Sequence, residues 1–197
     1  LVFPKEVKVE EVIREFKKDP NVIIAQPNYI YKAFLTPNDP RFGDQWGLTK
    51  IEAPSGWEIT TGTSEVVVAV IDTGLDYNHE DKPANIDLAN AWDFVNNDSD
   101  PMDDEGHGTT VSGVIAAKTN NGAGIAGTSW HAKILPLKAL KPVPGGAGGE
   151  TADITAAVAW AVNTGEANVI NMSLGQTIPD DLLEDAVNNA YNAGLVI

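Results

Sequence analysis

The sequence predicts an α/β fold, a mainly parallel sheet with helices on both faces, and three observations carry that prediction. Val66-Val67-Val68-Ala69-Val70-Ile71 is an unbroken, mostly β-branched run, the kind found in strands buried on both faces. After it, strand-like segments alternate with segments at helical period, which implies right-handed crossovers between parallel strands. Asp72-Thr73-Gly74 then ends the apolar run with a carboxylate and a turn, at the strand end where sheets of this kind bind ligands.

Taken in order, residues 1–34 stand apart. Val9, Val12, Ile13 and Phe16 recur at helical spacing, with Glu10, Glu11, Arg14, Lys17 and Lys18 on the other faces, and Asp19-Pro20-Asn21 stops the helix. Val22-Ile23-Ile24-Ala25 and Tyr29-Ile30-Tyr31 read as two short strands, giving a small α+β module. The turn-rich Thr36-Pro37-Asn38-Asp39-Pro40 marks a junction, so the expected division is 1–34 and 35–197. Beyond the first apolar strand, a helix of small residues is expected at about Thr109–Ala117 and a strand at Ala132–Leu140. A helix at about Thr151–Asn163, a strand at Asn168–Ser173 and a helix at about Asp180–Ala193 follow. Leu195-Val196-Ile197 opens one more strand. Gly145-Gly146-Ala147-Gly148-Gly149 reads as a loop, and the five tryptophans as core or cleft-wall packing.

Composition narrows the function. The 197 residues carry 28 acidic and 13 basic side chains, a net charge of -15, which repels nucleic acid phosphates and anionic lipid. Neither nucleic acid nor membrane is an expected partner. Without cysteine there is no disulfide framework, thiol nucleophile or Cys-ligated zinc. The chain opens without Met or a signal-peptide pattern and ends inside an apolar run, so both ends read as cuts.

Two residues promise chemistry. Asp72 at the end of a buried strand needs a partner for its charge, or it merely caps the following turn. His107 stands between glycines in Gly106-His107-Gly108-Thr109, where other backbone can approach closely, and it opens the small-residue helix. A His oriented by an Asp can act as general base toward a hydroxyl. Gly127-Thr128-Ser129 offers a serine, but Trp130-His131 and a strand follow it rather than a small-residue helix, so Ser129 is not expected to be a nucleophile. Asp76 to Glu105 is strongly acidic, either a solvated loop or a source of oxygen ligands for calcium.

Val68-Ala69-Val70-Ile71-Asp72-Thr73-Gly74 resembles the aspartate motif of the subtilase family, and Gly106-His107-Gly108-Thr109 its histidine motif. Asn171-Met172-Ser173-Leu174-Gly175 is similar to the family's cleft-lining segment, and Thr36 to Pro40 with Gln45-Trp46-Gly47 resembles the mature start of its thermitase-like branch. The resemblance implies a subtilisin-like serine endopeptidase in which Asp72 orients His107. The catalytic Ser and an oxyanion Asn would lie beyond Ile197, leaving the chain alone inactive. It also implies protein or peptide substrates held between Ser173-Leu174-Gly175 and Ala147-Gly148-Gly149. Residues 1–34 resemble the later part of an inhibitory propeptide that would occupy the cleft, with cleavage near Phe34–Leu35, in a secreted protein. Structural calcium is implied at two places. Asp39, Asp81 and Asn121, with carbonyls near Thr119, Ala123 and Ile125, resemble one site. Asp93, Asp98 and Asp100, with the Met102 carbonyl, resemble a second. Thr110 departs from the family where many members carry a second His. The rival reading is a non-catalytic subtilase-like module that binds peptide or calcium.

Overall fold

The computed structural model describes residues 7–30 and 35–197. The chain divides into two compact units, Leu1–Phe34 and Leu35–Ile197. In the first, helix α1 (Val9–Phe16) forms as its periodicity predicts, with Glu10 and Glu11 in its first turn, where acidic side chains complement the helix dipole. The apolar residues Val9, Val12, Ile13 and Phe16 face Val22, Ile24 and Ala25 across a shallow concavity. The two expected strands do not form: Val22–Ala25 and residues 29–30 have no ladder, and Tyr31 lies outside the described residues. A strand exists only with a hydrogen-bonding neighbour, and none runs beside these segments among the described residues. Ile23 is accordingly 95% exposed.

The second unit opens with two short helices, α2 (Trp46–Lys50) and α3 (Ala53–Trp57), which the sequence reading left unassigned. Strand β1 (Val67–Asp72) is buried at all six positions. It is followed by the two-residue strands β2 (Asn85–Ile86) and β3 (Trp92–Asp93), helix α4 (His107–Ala116) and strand β4 (Lys133–Lys138). A hairpin, β5 (Lys141–Val143) with β6 (Gly146–Gly148), then leads to α5 (Thr151–Thr164), β7 (Val169–Asn171) and α6 (Asp181–Asn192). The Gly-rich segment read as a loop therefore contains one antiparallel strand of that hairpin. The main sheet runs β2-β4-β1-β7, with β3 also on β4, and every pairing is parallel. Val196 adds a parallel bridge to Val169.

The strand period of two divides β1 between two cores. Val67, Ala69 and Ile71 pack with Leu135 and Leu137 against Ile154, Ala157, Val158 and Ala161 of α5 and Ala190 of α6. Val68 and Val70 face the opposite way, toward Ala116, Val111 and Ile115 of α4. Helices thus cover both faces, as the apolar run predicts. Each fully buried Val, Leu or Ile side chain contributes about 1.5–3 kcal/mol, so this double-faced burial fixes the position of the β1 carboxyl end, where Asp72 stands.

Trp57 and Trp130 meet tilted at 5.2 Å and Trp92 and Trp160 stack at 5.3 Å, which agrees with packing roles. Trp46 is the exception at 77% exposure: it begins the five-residue α2, which buries Leu48 instead.

Candidate active site

Asp72 ends β1 fully buried. Its Oδ1 accepts from the Thr73 backbone N–H at 2.7 Å and from His107 Nδ1 at 2.8 Å. Its Oδ2 is buried with no partner among the described residues, which leaves His107 as the one titratable partner of a desolvated charge. His107 is the first residue of α4, and its side chain is 44% exposed. A carboxylate only accepts, so Nδ1 carries the proton of this hydrogen bond and Nε2 keeps its lone pair. The hydrogen bond that His107 donates to Asp72 holds the His107 pKa above its ordinary value; the Asp72 charge, then those of Glu105 and Asp103, push the same way against the opposing effect of burial.

Close backbone approach makes this geometry available. A Cβ on Gly108 would collide with the Gly74 carbonyl oxygen and press on Asp72 Cβ, and a Cβ on Gly74 would collide with the Pro101 carbonyl. Gly108 N–H instead donates to Thr73 Oγ1 at 2.8 Å. Asp103 secures the start of α4. Its Oδ1 accepts from the Glu105 and Gly106 amides, and its Oδ2 from the Thr109 amide and hydroxyl. These bonds outweigh burial and hold its pKa down at about 2. Glu105 Oε2 accepts from the His107 backbone N–H at 2.9 Å.

His107 lines a groove of about 330 Å³ together with Ala147, Gly148 and Gly149 on one side and Ser173, Leu174 and Gly175 on the other. The structure thus brings both expected walls and the histidine to one cavity. The sequence reading missed six further lining residues, the apolar Leu140, Ile154 and Leu183 and the polar Thr151, Gln176 and Asp180. None of the six belongs to a motif that the sequence displays, and Gln176 lies outside every helix and strand. Asp180 is the N-cap of α6, accepting from Leu183 N–H, and takes a hydrogen bond from Thr151 Oγ1. Ser129 does not line the groove; its Oγ packs against Gly62. His79 and His131 are also outside it: His79 Nδ1 accepts from the Asp81 amide, and the His131 carbonyl from Asn85.

Among the described residues no three His, Cys, Asp or Glu side chains converge as a metal cluster. Asp39 and Asp81, 4% and 6% exposed, instead flank the 119–125 loop. Asp39 accepts from the Asn120 and Asn121 amides, and Asp81 from Asn121 Nδ2 and the Ile125 amide. Neither makes an ion pair among the described residues. In the other acidic segment, Asp93 Oδ1 accepts from the Val95 and Asn96 amides and Oδ2 from Asn96 Nδ2. Asp98 accepts from the Asp100 amide, and Asp100 from Tyr77 Oη and the Met102 amide. The Met102 carbonyl accepts from Lys138 Nζ at 3.0 Å.

Comparison with known proteins converges with this geometry. Residues 63–197 match the model of the subtilase family, peptidase S8. Over 190 residues the chain is 42% identical to the thermophilic serine proteinase of Bacillus sp. (strain AK1), covering 96% of this chain and 46% of that protein. It is 44% identical over 163 residues to thermitase of Thermoactinomyces vulgaris, covering 82% and 56%. A halolysin-like extracellular serine protease, Nep, of Natrialba magadii is 36% identical over 172 residues, covering 84% and 31%. The chain therefore spans about half the length, or less, of these relatives. With Asp72 and His107 joined at the mouth of a groove on a parallel sheet and most of the chain matched, the protein belongs to the subtilase family, in its thermitase-like branch.

Proposed function

We propose that the chain forms the N-terminal part of a serine endopeptidase precursor that hydrolyses peptide bonds through an Asp-His-Ser triad. The observation that carries this reading is the 2.8 Å hydrogen bond from His107 Nδ1 to Asp72 at the groove. Asp72 fixes the imidazole with its proton on Nδ1, so Nε2 is the base. Nε2 would take the proton of a serine hydroxyl as the oxygen attacks the scissile carbonyl, then return it to the leaving amine. Asp72 stays ionised and stabilises the imidazolium between those steps. General-base help of this kind contributes about 10²–10⁴-fold. The serine and an oxyanion-stabilising asparagine would come from sequence following residue 197, so the chain alone would not turn over.

Extended protein or peptide substrates would lie between Ala147-Gly148-Gly149 and Ser173-Leu174-Gly175, held by backbone hydrogen bonds as an added strand. Residues 1–34 would be part of the inhibitory propeptide, with 35–197 belonging to the catalytic domain. The extracellular protease among its relatives supports secretion.

Calcium fits the first of the two acidic settings. Two buried carboxylates without a cationic partner among the described residues call for compensation, and Asp39, Asp81 and Asn121, with carbonyls near Thr119, Ala123 and Ile125, would supply the all-oxygen donor set that this ion takes. Bound there, calcium would supply positive charge that ties the 119–125 loop to the segment around Asp39. A chelator should lower the melting temperature of the intact protein, and an unchanged value would defeat this assignment.

The test of the enzymatic reading is hydrolysis of a peptide substrate by the intact protein beside its His107→Ala variant. Activity that drops about 10⁶-fold in kcat, with the variant still folded, is the expected result. A folded intact protein without His107-dependent hydrolysis would overturn it.

A further inference from the structure

Lys138 is the last residue of β4 and only 2% exposed, although a lysine is almost never fully buried without a partner. Its partners lie on one segment. Nζ donates to Asp104 Oδ1 at 2.6 Å and to the Met102 carbonyl at 3.0 Å. In the sheet, Lys138 is the Cα partner of Asp72 on one side and of Asp93 on the other. The strand end that pairs with Asp72 therefore also grips the segment leading into His107. Met102 and Asp104 are held by the ammonium, and Asp103 between them is bonded to Thr109 in the first turn of α4. A single buried lysine thus joins the strand end beside Asp72 to the segment that leads into His107.

Its placement conflicts with calcium on Asp93, Asp98, Asp100 and the Met102 carbonyl. That carbonyl already accepts from an ammonium, whereas Asp39 and Asp81 make no ion pair among the described residues. An ammonium and a divalent ion sharing one carbonyl would repel each other in a site where burial weakens screening.

We propose that the Lys138 ammonium is the resident cation of the 93–104 acidic region and a positioning residue for His107, setting its distance and angle to Asp72 without touching substrate. This rests on the proposed triad, and the experiment separates the two. In the intact protein, Lys138→Met should lower kcat by roughly 10- to 100-fold with KM changed less than about twofold, because misplacement of a catalytic group acts on the reacting step. The low-field proton resonance of the His107 Nδ1–H bond, read by NMR in the folded protein whether or not it turns over, should broaden or shift. A protein that hydrolyses nothing but shows the altered resonance defeats the triad reading and leaves the tether standing. A folded Lys138→Met protein with an unchanged resonance and unchanged kcat overturns the tether. If Lys138→Met does not fold, Asp104→Asn decides, since Asp104 is 55% exposed: a smaller change in the same resonance supports the proposal, and an unaltered one overturns it.

Discussion

At the corner between β1 and α4, side chains make most of the contacts; along the groove walls, the backbone is what the chain presents. The corner uses the carboxylates of Asp72 and Asp103, the hydroxyls of Thr73 and Thr109 and the ammonium of Lys138, each bonded to a named partner. The walls are Ala147-Gly148-Gly149 and Ser173-Leu174-Gly175, with three glycines in six residues, and Ser173 Oγ is engaged only by Asn171 Nδ2 at 3.0 Å among the described residues. The corner's function therefore depends on which side chain stands at each position. The walls' function depends on where the main chain runs, so substitutions in the two regions should differ in effect by orders of magnitude.

After the loss of the His107 imidazole itself, the largest effect should come from Asp72→Asn. The amide fills nearly the same volume but carries no charge, and with its N–H₂ toward Nδ1 it would favour the tautomer with the proton on Nε2, removing the base. In the intact protein kcat should fall about 10⁴-fold with KM nearly unchanged, read from steady-state hydrolysis. A drop of less than about tenfold would show that Asp72 is a structural cap of the Asp-Thr-Gly turn, and the contrast with the walls would collapse.

A smaller effect sharpens the electrostatics of the corner. Its hydrogen bond to Asp72 and the neighbouring acidic charges raise the His107 pKa above 6.5, and the base is active only when neutral. The acid limb of kcat/KM should therefore have its midpoint above 6.5, with activity lost as pH falls through it. Glu105→Gln keeps an acceptor for the His107 amide but removes one negative charge. Protonated His107 then loses support, its pKa falls, and the limb should move to lower pH. A limb that moves upward would reverse the assigned sign of the acidic surroundings.

The sequence made the corner that joins Asp72 to His107 legible because two physical signals coincide there. A six-residue, mostly β-branched run leads into Asp72, and glycines flank a histidine at the start of a helix too small-sided to be anything but packed closely. The long elements were legible for a related reason: α5, α6, β1 and β4 each span several periods of their pattern. Short elements carry less than one full pattern. β2 and β3, with two residues each, exist only because β4 lies beside them, and α2 and α3 are single turns organised around Leu48 and Trp57. The strands expected at 22–25 and 29–31 failed for the converse reason, since β propensity without a neighbouring strand makes no ladder. Lys138 was the least legible residue. Its burial follows from Met102 and Asp104, 36 and 34 residues earlier, and no local pattern marks it.

The smallest effect belongs to the walls. Ser173→Ala removes an Oγ that accepts from Asn171 Nδ2 on an exposed face, and water can replace that bond. The Ser173 and Gly175 main-chain groups, which the proposed substrate would meet, are unchanged. Both kcat and KM should therefore stay within about threefold, because a net neutral hydrogen bond at an exposed site contributes only about 0.5–1.5 kcal/mol and this one does not touch the reacting atoms. A loss of a hundredfold would mean that the Ser173 hydroxyl itself engages substrate. The wall would then act through its side chain, as the corner does, and the division between the two regions would have to be drawn at Leu174.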